Sequence, residues 1–125
     1  MYSHNMVGSN DIDRSKKFYD ATFEAMGGKA GIKDDKGRLI YMHNGGIFLV
    51  TPPIDGQAAT AGNGSTIGFA MDDPAQADAW HAAGVANGGT AIEDPPGVRS
   101  GGMGDLYLAY LRDPDGNKLC ALKRM

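Results

Sequence analysis

Apolar positions along the first half of the chain switch period several times, and each switch marks an element. Tyr2 to Val7 is a short apolar-rich run that predicts a strand, broken by Gly8-Ser9-Asn10-Asp11. Phe18, Tyr19, Thr22, Phe23 and Met26 then recur at helical spacing and define one face of a helix. Asp11 is suited to be its N-cap, because a carboxylate accepts from unpaired amides and meets the positive end of the helix dipole. Gly27-Gly28 ends it, since glycine takes the left-handed C′ conformation at little cost. Lys29 to Lys33 predicts a short strand, followed by a polar turn at Asp34-Asp35-Lys36-Gly37. Leu39 to His43 and Ile47 to Val50 predict two strands around a three-residue hairpin loop, Asn44-Gly45-Gly46.

The second half repeats this order. Thr66 to Met71 predicts a strand, and Asp73-Pro74 supplies an N-cap followed by proline at the first helical position. The next helix carries Ala77, Trp80 and Gly84 on one face and ends at Gly88-Gly89. A mid-helix glycine costs about 1 kcal/mol relative to alanine, so close packing is expected at Gly84. Thr90 to Glu93, Leu106 to Leu111 and Lys118 to Leu122 predict strands, the last two joined by the turn Asp113-Pro114-Asp115-Gly116. Asp11 aligns with Asp73, Phe18 with Trp80, Ala21 with Ala83 and Gly27 with Gly89, a spacing of about 62 residues that indicates duplication. The predicted fold is α+β: two paired β-α-β-β-β modules that form a curved mixed sheet around a cavity. Residues 1–125 make one domain, with module one at 1–50, a linker at 51–64 and module two at 65–125. Thr51 to Gly64 and Pro95 to Asp105 lack a regular pattern. The second of these holds four glycines and Arg99, and its length suits a pocket lid.

Composition narrows the function classes. The formal charge is −3, with twelve basic residues, so nothing favours a nucleic-acid backbone as partner. No apolar run is long enough for a membrane span, and Met1-Tyr2-Ser3-His4 lacks the organisation of a secretory signal. A lone cysteine, Cys120, excludes an intrachain disulfide and suits a reducing compartment, so a cytoplasmic protein is expected. The Asp113 to Gly116 run is explained as a turn rather than as paired catalytic carboxylates. No glycine pattern matches a nucleotide phosphate loop.

The duplicated modules, with His4 in the first strand, SNDIDRSKKFYD at the first helix and YLRDPDGNKLCAL at the end, resemble the vicinal oxygen chelate superfamily. That group includes glyoxalase I, extradiol dioxygenases, fosfomycin-resistance enzymes and bleomycin-binding proteins. The terminal segment looks especially like small glyoxalase-like bacterial proteins. The resemblance implies a cavity between modules and, in many members, a dimer. In the enzymes it implies a divalent metal held by His, Glu or Gln side chains, acting as a Lewis acid on two neighbouring substrate oxygens. His4 matches the first ligand position, while Thr66, Cys120 and Leu49 fall on the others. Leucine cannot ligate and a neutral hydroxyl is a poor ligand, so His4 and Cys120 leave fewer than the three protein ligands usual in a catalytic zinc site. No cofactor is therefore expected, a divalent metal being the alternative.

The candidate ligand-binding residues are His4, His43, Thr66, Arg99, Tyr110 and Cys120. His43 and Tyr110 are expected to line the cavity from opposite sides, and Arg99 to sit at its mouth with a guanidinium fork for an anion. His81, on the second helix, is expected to be exposed. No catalytic residue is assigned. The expected function is metal-independent binding of a small molecule between the modules, by a homodimer whose second copy covers exposed sheet edges. The alternatives are a metal-dependent lyase or dioxygenase, and a non-catalytic interaction protein.

Overall fold

The computed structural model describes residues 1–125. Module one runs β1 (Asn5–Gly8), α1 (Ile12–Ala25), β2 (Ile32–Lys33), β3 (Leu39–His43) and β4 (Gly46–Thr51). Module two runs β5 (Ile67–Ala70), α2 (Pro74–Ala86), β6 (Thr90–Ala91), β7 (Gly97–Gly101), β8 (Gly104–Arg112) and β9 (Lys118–Arg124). Each module builds its own mixed sheet, ordered β1-β4-β3-β2 and β5-β9-β8-β6, with β7 also on β8. In both, the strand before the helix pairs in parallel with the last strand: β1 with β4 and β5 with β9. The duplication is thus a duplication of topology. No helix is long and apolar enough to cross a membrane.

Both helices begin as the sequence predicts. Asp11 accepts from the amide of Arg14 at 3.0 Å, and Asp73 from that of Gln76 at 2.8 Å. The helices pack on each other and on the inner faces of both sheets, around one core that includes Phe18, Tyr19, Phe48, Trp80, Leu111 and Leu119. The expected close packing at Gly84 is present. A Cβ there would stand 2.3 Å from Leu111 and 3.1 Å from the Phe18 ring.

Several boundaries differ from those expected of the sequence. The hairpin at Asn44 is a two-residue turn, with positive φ at Asn44 and Gly45 and Gly46 already paired to His43. The first strand starts at Asn5, and β5 starts at Ile67, so His4 and Thr66 precede their strands. The strand expected at Thr90 to Glu93 stops at Ala91, because Glu93 adopts φ +59°, which no strand residue takes. Pro95 to Asp105 is not irregular: Gly97 to Gly101 forms β7 and pairs with β8 from Gly97↔Leu108 to Gly101↔Gly104. Glycines hide this strand from a reading based on side chains, whereas the ladder needs only backbone groups.

The Asp113 to Gly116 turn has a second role that spacing did not reveal. Asp113, almost fully buried, accepts from Tyr19 Oη at 2.6 Å and from Asn117 Nδ2 at 2.8 Å. Asp115 accepts from Arg14 at 2.8 Å, from the Asn10 amide at 2.9 Å and from Ser15 Oγ at 3.2 Å. Asn117 Nδ2 also donates to the Gly8 carbonyl at 3.2 Å. The turn of module two therefore clamps the start of α1 and the end of β1. The 51–64 linker adds no helix or further strand, but Ala59 exchanges two hydrogen bonds with the Asn10 side chain, at 2.7 and 3.1 Å.

Candidate functional site

A cavity of about 320 Å³ lies between the edge strands β1 and β5, on the helix side of both sheets. Its walls are aromatic. Phe23 of α1 stacks on Tyr41 of β3, with centroids 4.6 Å apart and planes 7° from parallel. Phe69 of β5 meets Phe23 and Phe48 edge-on, at 5.7 and 5.4 Å. The alternation of β3 and β4 produces this, because Tyr41 and Phe48 are direct partners and share the inner face. Tyr41 Oη donates to Asp20 at 2.7 Å, so its hydroxyl is committed behind the wall and its ring faces the space. Burial, with this bond to Asp20, pushes the Tyr41 phenol far above its ordinary value and keeps it neutral. Gly31 lets the ring lie close, since a Cβ there would stand 2.5 Å from Tyr41.

Two imidazoles complete the lining. His43 projects to the same inner face as Tyr41 and lies edge-on to Phe23, with ring centroids 6.4 Å apart. A Cβ on Gly28 would come within 3.2 Å of His43 Nδ1, so glycine permits this placement. His4, in the segment leading into β1, is exposed, with its Nδ1 2.8 Å from Ser3 Oγ.

The other predicted residues lie elsewhere. Thr66 is exposed, one residue before the cavity wall at Ile67. Tyr110 and Cys120 are direct partners on β8 and β9, alternating with the inward Ala109, Leu111, Leu119 and Ala121, so they face away from the helices. Register matches Tyr110, the partner of Cys120, with Ile40, the partner of Leu49, so the expectation that Tyr110 lines the cavity opposite His43 is not met. Arg99 shares the outer face of sheet two through its pairing with Leu106. It donates to the carbonyls of Gly97 and Asp94 at 3.1 and 3.0 Å, tying the β6–β7 crossing. Beside this group lie two residues the sequence reading passed over. Lys118 pairs with Glu93 and sits 4.9 Å from the centre of the Tyr110 ring. The positive φ of Glu93 turns the chain between β6 and β7 and sets its carboxylate beside Lys118, a placement that leaves no mark in the sequence. Burial pushes the Cys120 thiol above its ordinary range, so it is protonated at neutral pH, and burial likewise raises the Tyr110 phenol. His81 is half-buried rather than exposed, and desolvation holds its imidazole below the usual range.

Two modules, each a helix on a mixed sheet, share one core with a small aromatic cavity between them, which defines a duplicated α+β fold. The family model described as Glyoxalase/Bleomycin resistance protein/Dioxygenase superfamily matches residues 2–121, and the chain belongs to that superfamily. A crystal structure of a glyoxalase/bleomycin resistance protein from Albidiferax ferrireducens T118 is 59% identical, covers 99% of both chains and superposes with a TM-score of 0.96. A glyoxalase/bleomycin resistance protein/dioxygenase family enzyme from Burkholderia phytofirmans PsJN shares the fold at 18% identity, with 98% of each chain covered and a TM-score of 0.74. A lactoylglutathione lyase from Agrobacterium tumefaciens shares it at 21% identity, over 95% of this chain and 90% of that one, with a TM-score of 0.65. No curated protein matches the chain.

The superfamily resemblance implies a divalent metal, and the donors present do not fit one. No group of three His, Cys, Asp or Glu side chains converges to hold an ion. His4 stands in the segment before β1 and Cys120 carries a raised thiol, while Leu49 and Thr66 offer no strong donor.

Proposed function

We propose that this protein binds a small molecule in the cavity between its modules and does so without a metal. The observation that carries this reading is the cavity itself. At about 320 Å³ it falls at the lower end of the range for small-molecule sites. It combines stacked and edge-on aromatic walls with a few polar groups at one end, the usual make-up of a binding pocket. His4 and His43 are the polar contacts of the proposed site. Thr66, Arg99, Tyr110 and Cys120 flank it or lie on the outer face of sheet two. A thermal-shift screen of small aromatic metabolites on chelator-treated protein tests the reading. A hit should bind His81→Ala like wild type and His43→Ala at least several-fold more weakly. Equal affinities in the two variants would remove this cavity as the site.

The working unit is proposed to be a homodimer. Met6, Ile32, Met42 and Ile47 are all exposed, at 42, 60, 64 and 40%. Register places them with Ile40 and Leu49 on the outer face of sheet one, where no charged residue intervenes. A contiguous apolar face of this kind marks an interaction surface, and a two-fold pairing of copies is the commonest closed arrangement. Light scattering should give twice the 13.1 kDa chain mass, falling to the single-chain value in Met42→Asp/Ile47→Asp. A monomeric wild type would contradict it.

A further inference from the structure

The cavity carries information about the charge of its occupant. Among its sixteen lining residues there is no Asp, Glu, Lys or Arg. The titratable groups that face it are Tyr2 and His4 from the leading segment, and Tyr41 and His43 from β3; α1, β4 and β5 contribute none. The carboxylate bonded to the wall residue Tyr41, Asp20, is engaged by Lys16 at 2.6 Å, by the Gly31 amide at 2.9 Å and by Tyr41 at 2.7 Å. The lining therefore offers imidazole nitrogens as hydrogen-bond donors and no carboxylate to repel an anion. Aromatic walls attract cations as well as flat rings, but a cation here would meet two imidazoles and no carboxylate.

We propose that the cavity takes a flat aromatic acid of one or two rings. Its ring lies among Phe23, Phe48 and Phe69, and its carboxylate points toward His43 and His4. The inference rests on the cavity reading above and adds the charge of the ligand to it. Three features set it apart from a generic apolar pocket. The Phe23–Tyr41 stack and the edge-on Phe69 make walls suited to a planar guest. The committed Tyr41 hydroxyl removes the one lining phenol of β3 as a competing polar contact. The imidazoles bracket the space from two elements, the segment before β1 and the end of β3.

Calorimetric titration of the full chain with three matched probes tests this: naphthalene-2-carboxylate, 2-naphthylmethanol and (2-naphthylmethyl)trimethylammonium. All three are measured in one buffer near neutral pH. The carboxylate should bind roughly tenfold more tightly than the alcohol. The double variant His4→Gln/His43→Gln should lose this preference for the carboxylate and keep the affinity for the alcohol. Tightest binding by the ammonium probe, or alcohol and carboxylate binding alike, would overturn the acid while leaving the cavity as a binding site. Binding by none of the three would overturn both.

Discussion

The two modules share one topology and divide the labour of packing. Module one supplies bulk: Phe18, Tyr19, Phe23, Tyr41 and Phe48 are all buried. Module two supplies Trp80 and a bed of small residues, Ala77, Gly84, Gly89, Ala109 and Ala121. The Phe18 ring settles onto that bed, where a Cβ on Gly89 would stand 2.5 Å from it and 2.8 Å from the Gly84 carbonyl. Their outer faces differ as well. That of sheet one is apolar, whereas that of sheet two carries Arg99, Arg112, Lys118 and Arg124 around Tyr110 and Cys120. Duplication preserved the scaffold, and side-chain size and charge then gave the copies separate tasks. Module one supplies most of the cavity lining and an exposed apolar face; module two adds Phe69 to the wall, receives the aromatic layer and clamps it.

Removing the bulk should do most damage. Phe18→Ala opens a void against Gly84 and Gly89 and should cost about 3–5 kcal/mol. Filling the hollow should cost less. Gly89→Ala forces a methyl against Phe18 and a backbone carbonyl, for about 1–3 kcal/mol. Urea denaturation of the two variants checks the order, and a neutral Gly89→Ala would show that the bed has slack. The clamp comes next. Tyr19→Phe leaves the buried Asp113 with one donor fewer and should cost about 1–2 kcal/mol. Far smaller is the acid response of Asp20. Burial raises its carboxyl, but hydrogen bonds from Lys16, Gly31 and Tyr41 outweigh this and hold it below the ordinary value. Its contribution is therefore present above the unfolded carboxylate range near pH 4 and is lost as pH falls through the lowered folded value. The melting temperature of Asp20→Asn should drop less than that of wild type between about pH 5 and about pH 2. An identical drop would mean that Asp20 takes no part.

Element order, both N-caps and the core helix residues are legible in the sequence because each depends on neighbours within a turn or two. The β7 strand is not. Its glycines carry no side-chain signal, and its pairing is decided by β8 across a tight turn. The clamp is equally hidden, since Asp113 and Asp115 make a local turn and meet Tyr19 and Arg14 only in the folded chain. His43 lines the cavity as expected, whereas Tyr110, expected opposite it, faces away, because one position along a strand reverses a side chain's face. Among the aromatics of the two helices, Phe23 alone is core and cavity wall at once.

Metal-free binding in the aromatic cavity between the modules can be read residue by residue from side-chain NMR. Chelator-stripped protein is titrated with naphthalene-2-carboxylate while the aromatic and histidine resonances are followed. Shifts should concentrate at Phe23, Tyr41, His43 and Phe69 and stay unchanged by added zinc. Shifts centred on Tyr110 with Cys120, or binding that appears only once zinc is added, would contradict it.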